Sequence, residues 1–145
     1  MNKRILLRIV TVATFLCVIL VYICSCSSMD MNEYYLEKEN YVNVHGTITN
    51  ITYNDDSSVL YLEFSDLSPV LDDVCFKIVG ENLEIVQKNG IENKVNIGNQ
   101  ISFVTAPRYF GDGYVMPIVA MSANGETLLD FEDGYVNWLN WLDEQ

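Results

Sequence analysis

The segment Ala106-Pro107-Arg108-Tyr109-Phe110-Gly111-Asp112-Gly113-Tyr114 gathers the side chains best suited to chemistry in this chain. Arg108 can fix a carboxylate through its planar fork of donors, while Tyr109, Phe110 and Tyr114 can stack on a sugar or a peptide side chain. This is the chemistry of recognition. The same residues also read as an ordinary hairpin, closed by an Asp112-Gly113 turn, with the aromatics tucked inward and Arg108 paired with a nearby acid.

Bond-breaking chemistry has little raw material. His45 is the only histidine, so zinc sites and Ser-His or Cys-His catalysis lack their usual parts. Asp55-Asp56 and Asp72-Asp73 offer hard oxygens, but neither has the Gly and distant Glu of a calcium loop, and both read as solvated turns. Cys75 lies in the strand-like run Val74-Cys75-Phe76-Lys77-Ile78-Val79, where a cysteine is usually a small packed residue. No Gly-x-Ser-x-Gly or phosphate loop is present. The expectation is a non-enzyme with no cofactor and no metal. A hydrolase built from acids distant in sequence is the third-ranked reading.

The chain that must position these groups has 145 residues, half of them hydrophobic, with 8 Lys or Arg against 20 Asp or Glu. That composition fits one small domain and excludes coiled coils, collagens and multi-span transporters. Lys3, Arg4 and Arg8 precede an apolar run from Ile9 to Cys24, which is the pattern of an export leader. Without residues 1–25, 5 bases face 20 acids, a formal charge of −15. A domain so acidic repels phosphate, so nucleic acid is excluded as a partner.

After the apolar run come Ile23-Cys24-Ser25-Cys26-Ser27-Ser28. This resembles a bacterial lipoprotein leader, in which a small residue precedes a cysteine that receives a diacylglycerol. The resemblance implies lipidation at Cys26 and cleavage before it. An uncleaved signal anchor, with the ~20-residue run from Ile5 to Cys24 crossing the membrane, is the alternative. Both place the acidic domain outside the cytoplasm, held at the cell membrane. Residues 26–40 then read as a tether, with Tyr34, Tyr35 and Leu36 either packing on the domain or touching headgroups.

From Tyr41 the pattern alternates. Val42, Val44, Gly46 and Ile48 share one face, then the phase slips at Thr49-Asn50 so that Ile51 and Tyr53 carry it on. The spacing predicts one long strand bent at Gly46 and at the slip. Asn54 to Ser58 form a turn, Val59 to Ser65 a second strand and Val74 to Val79 a third. Glu81 to Gly90 read as a short helix with Asn82 as its capping residue and Gly90 beyond its end. Ile101 to Thr105 and Tyr114 to Ser122 are further strands, Pro117 demanding an edge, a bulge or a non-pairing position. Asn124-Gly125 is a hairpin signal, with Thr127 to Leu129 as a returning strand. Phe131, Tyr135, Trp138 and Leu142 make one stripe of an amphipathic helix.

This order resembles the OB-fold, through Val44-His45-Gly46-Thr47-Ile48-Thr49-Asn50-Ile51 as first strand and Val95 to Phe103 as the turn into the fourth. With the leader ahead of it, the chain is similar to bacterial OB-fold lipoproteins grouped with tRNA-anticodon-binding-like barrels. The resemblance covers about residues 41–130 and implies a mainly β, five-stranded barrel with a short helix between strands 3 and 4; the C-terminal helix is an addition to that core, so the expected domain is 41–145, after a signal or anchor helix in residues 1–25. A small sandwich is the runner-up. The expected function is a membrane-anchored extracytoplasmic binding module for an envelope protein or saccharide, contacting it through Arg108, Tyr109, Phe110 and Tyr114. The alternative is an accessory subunit of an envelope complex that docks through the C-terminal helix.

Overall fold

The computed structural model describes residues 31–69, 71, 75–110 and 114–145, in which Tyr35–Gln145 form one compact unit. The leader and Cys26 lie outside the described residues. A helix α1 (Met31–Leu36) and a 3-10 turn (Lys38–Asn40) lead into strand β1 (Val42–Tyr53). The compact unit therefore begins inside the 26–40 stretch that composition reads as a tether. Tyr35 is fully buried, whereas Leu36 is exposed.

Strand β1 pairs antiparallel with β2 (Val59–Ser68) and with β4 (Gln100–Thr105). Its pairing with β2 shifts register twice, between His45 and Thr47 and between Ile48 and Asn50. Those are the two places where Gly46 and the phase slip predict a bend. Gly46 also lets β1 pass close over β2, because a Cβ there would come within 2.8 Å of Leu67 Cδ2 and 3.2 Å of Phe64.

Strand β3 (Cys75–Val79) pairs with β2, and β5 (Val115–Ala123) pairs antiparallel with β4 and parallel with β3. The pairings thus return on themselves, from β1 through β2, β3, β5 and β4 back to β1. A sixth strand, β6 (Glu126–Leu129), joins the edge of β5 across Asn124-Gly125. Among the described residues the result is a mainly antiparallel six-stranded sheet with helices, one strand more than the five the resemblance implies. Pro117 lies one residue before the pairing of β5 with β4 begins at Ile118 and at the last rung of its pairing with β3, so its missing N–H interrupts neither ladder's middle.

Inside the curled sheet, alternating residues from each strand form the core. Phe103 stacks on Phe64 at 4.7 Å and meets Phe76 edge-on at 4.8 Å, with Val44, Ile48, Leu62 and Ile118 buried around them. Strand β5 is buried along nearly its whole length, which a one-sided strand would not be. The cover on its outer side is helix α4 (Phe131–Asp143), capped by the Asp130 carboxylate accepting from the Glu132 N–H at 2.9 Å. Tyr135, Trp138 and Leu142 face inward, as the stripe predicts.

Between β3 and β4 lie helix α2 (Gly80–Lys88) and a single-turn helix α3 (Ile91–Lys94) that the pattern does not predict. Gly90 takes the left-handed conformation, φ 82°, that ends α2. The reading of Asn82 as the cap needs correction. The cap position is Val79, and Asn82 is 2% exposed, donating to the Gly134 carbonyl at 2.8 Å and accepting from Asn137 at 3.1 Å. Its amide joins α2 to α4, a long-range role that local spacing does not encode.

Candidate functional site

The loop between β4 and β5 is pinned at both described ends by the backbone. The Arg108 N–H donates to the Ala106 carbonyl at 2.7 Å, the Phe110 N–H to Val115 at 2.9 Å, and the Cys75 N–H to the Tyr114 carbonyl at 3.1 Å. Residues 111–113, with the Asp112-Gly113 turn, lie outside the described residues.

The four residues singled out from the sequence separate into two environments. Tyr109 is partly buried against the core and meets Tyr114 edge-on, 5.2 Å between ring centres, while Tyr114 is 74% exposed. Phe110 instead joins the domain's own aromatics, 5.5 Å from Trp138 and 5.4 Å from Trp141. Arg108 is half-buried, and its carbonyl accepts from the fully buried Tyr35 hydroxyl at 3.1 Å. Tyr114 is thus presented to solvent on a supported loop, and Phe110 holds that loop to the body.

One residue of this cluster is invisible in the sequence. Lys77 on β3 places Nζ 4.2 Å from the Phe110 ring centre, 4.5 Å from Trp141 and 5.7 Å from Trp138. Such ring faces attract an ammonium electrostatically. Among the described residues Lys77 makes no ion pair, unlike Lys38 with Glu132 and Lys94 with Glu126. Burial brings its pKa down to about 8. Four aromatic and basic residues from β3, the β4–β5 loop and α4 meet here, so no single stretch of chain announces the box.

The other reactive types stand apart. Cys75 is a half-buried free thiol whose pKa is raised by burial and then by the charge of Glu63, which keeps it protonated and sluggish. His45 Nδ1 and Ser102 Oγ share a 2.6 Å hydrogen bond across β1 and β4. Among the described residues no group orients the other ring nitrogen, so the pair lacks the third member that activates a serine. Among the described residues no three His, Cys, Asp or Glu side chains gather as a metal site. No described helix is long and apolar enough to cross a membrane. No protein-family model, no curated protein and no solved structure matches the chain.

Proposed function

We propose that the chain is a membrane-anchored, extracytoplasmic OB-fold binding module, non-catalytic, that contacts an envelope protein through the wall formed by Arg108, Tyr109 and Tyr114. The observation that carries this reading is Tyr114, 74% exposed yet supported by Tyr109 beneath it and by its carbonyl's bond from Cys75. A large aromatic supported from beneath yet open to water offers contact area of the kind that interface anchors supply.

The OB-fold reading is supported by the closed order of pairings, by the parallel β3–β5 pairing and by α2 and α3 lying between β3 and β4. In that fold the β4–β5 connection forms one wall of the ligand face. Phe110 takes a supporting part and holds the wall in place. Membrane attachment rests on the leader, with Cys26 as the lipidated residue and the domain outside the cytoplasm. The accessory-subunit alternative loses its docking stripe, since Tyr135, Trp138 and Leu142 pack on the domain itself and Val136, 50% exposed, is the one large apolar residue α4 offers among the exposed set.

The test places a photo-crosslinking residue at Tyr114 in the anchored protein within living cells, with Val136 as the control position. A recurrent adduct from position 114 and none from 136 is the expected result. Adducts from neither, with the protein folded and exported, would return the loop to an ordinary hairpin. Palmitate labelling of wild type and Cys26→Ser tests the anchor separately, and undiminished label in the variant would end the lipoprotein reading.

A further inference from the structure

A second surface, sharing no residue with the Arg108–Tyr114 loop, has a chemistry of its own. On the outer face of the sheet His45 lies opposite Ser102, Ser102 opposite Ser122, and Ser122 opposite Thr127. Four polar side chains thus stand in one row across β1, β4, β5 and β6. Neighbouring strands are about 4.8 Å apart, so the row runs about 14 Å. Two residues along, and so on the same face, Val104 pairs with Ala120 and Asn43 with Val104. These small side chains make a floor beside the polar row. An open hollow of about 240 Å³ sits over it, lined also by Asp130 and Phe131.

The chemistry of the lining selects a ligand class. Among the described residues no Lys or Arg lines the hollow, whereas Asp130 does, in a domain of strongly negative charge, so anions are disfavoured. Among the described residues, the Ser122 and Thr127 hydroxyls and the Asn43 amide have no protein hydrogen-bond partner. Each can both donate and accept, as the hydroxyls of a sugar do. The Val104–Ala120 floor suits the C–H face of a pyranose. An extended peptide is a poorer match, because β4 at the middle of the row is paired on both sides, with β1 and β5, and the outer strand β6 offers only a four-residue edge.

We propose that this trough binds a neutral saccharide chain laid across β1, β4, β5 and β6, with Ser102, Ser122, Thr127 and Asn43 reading its hydroxyls. Ser102 is held in place for this by its bond to His45. The site is independent of the Tyr114 wall, and failure of either reading leaves the other standing.

The test uses the full chain in detergent micelles, isotope-labelled for NMR, titrated with chitotetraose, with maltotetraose, and with a galacturonate tetramer as the charged probe. The expected result is saturable shifts at Ser102, Ser122 and Thr127 with at least one neutral tetramer and none with the galacturonate. The double variant Ser122→Ala, Thr127→Val should weaken that binding by about tenfold or more, while Tyr114→Ala leaves it unchanged. The variants sit at solvent-facing positions, and an unchanged amide spectrum elsewhere reports that they fold. No saturable shift with either neutral probe, tighter binding of the galacturonate, shifts confined to Tyr109 and Tyr114, or a double variant that binds like wild type would each overturn the proposal.

Discussion

Gly134 of α4 lies so close to Val119 of β5 that a Cβ at position 134 would stand 1.9 Å from the Val119 carbonyl oxygen. The backbones of helix and strand therefore touch, and the obstacle is a main-chain atom that cannot rotate aside. In a free helix Gly→Ala gains about 1 kcal/mol. Here Gly134→Ala is expected to lose roughly 3 kcal/mol, because the helix must lift off the sheet and Trp138 with it. Urea unfolding followed by tryptophan fluorescence measures the sign. A stabilised variant would refute the close approach.

Lys77 makes stability depend on pH in a particular direction. Its folded pKa of about 8 lies below the unfolded value of 10.5, so between the two the unfolded chain holds more protons than the folded one. Stability contributed by this site therefore rises as pH climbs from 8 to 10.5 and is absent below 8. Lys77→Met, which keeps an unbranched apolar stem among Phe110, Trp138 and Trp141, should abolish that rise. Parallel pH profiles of Tm for wild type and variant give the difference directly, and identical slopes would contradict the burial.

The division of the β4–β5 loop predicts opposite outcomes for two neighbouring aromatics. Tyr114→Ala should change stability by less than about 0.5 kcal/mol, as exposed positions do, while removing partner capture. Phe110→Ala should cost about 2 kcal/mol, since it empties the ring contacts to Trp138, Trp141 and Lys77. Thermal melts of both variants beside the crosslinking yield of each separate the two roles.

Tyr35→Phe keeps the buried ring against Trp138, 5.4 Å away, and deletes only the hydroxyl that donates to the Arg108 carbonyl. The expected loss is about 1 kcal/mol, with faster amide exchange at Phe110 than at distant Ile101. Uniform exchange across both sites would mean the bond does not hold the loop.

Much of this architecture is legible along the chain because it is local. The two bends of β1 are written in Gly46 and in the slip at Thr49-Asn50, and the β5–β6 hairpin in Asn124-Gly125. The buried face of α4 is written in the spacing of Tyr135, Trp138 and Leu142. What pattern reading misses is made of partners far apart in sequence. Asn82 looks like a cap because caps are Asn-rich, yet its hydrogen bonds run to Gly134 and Asn137, more than fifty residues away. Lys77 shows no sign of its aromatic box, since Phe110, Trp138 and Trp141 reach it from two other elements. The row from His45 to Thr127 exists only once three strand registers are known. Of the loop itself, the aromatic content is visible beforehand, but which ring turns in and which turns out is decided by α4.

The burial of Tyr35 has a mechanical consequence. Tension delivered along the chain ahead of this residue meets its ring before it meets the sheet, and the ring is wedged between Trp138 and Phe110. Tyr41 adds a second grip through its hydroxyl, which donates to the Tyr35 carbonyl, and the Tyr135 hydroxyl donates to Leu36. A pull would therefore be felt first at the seam between α4 and the β4–β5 loop, with the strands under no load until that seam parts. Force on the chain would thus be carried first by Phe110 and Trp138, the pair that also holds the loop to the body, before it reached the strands.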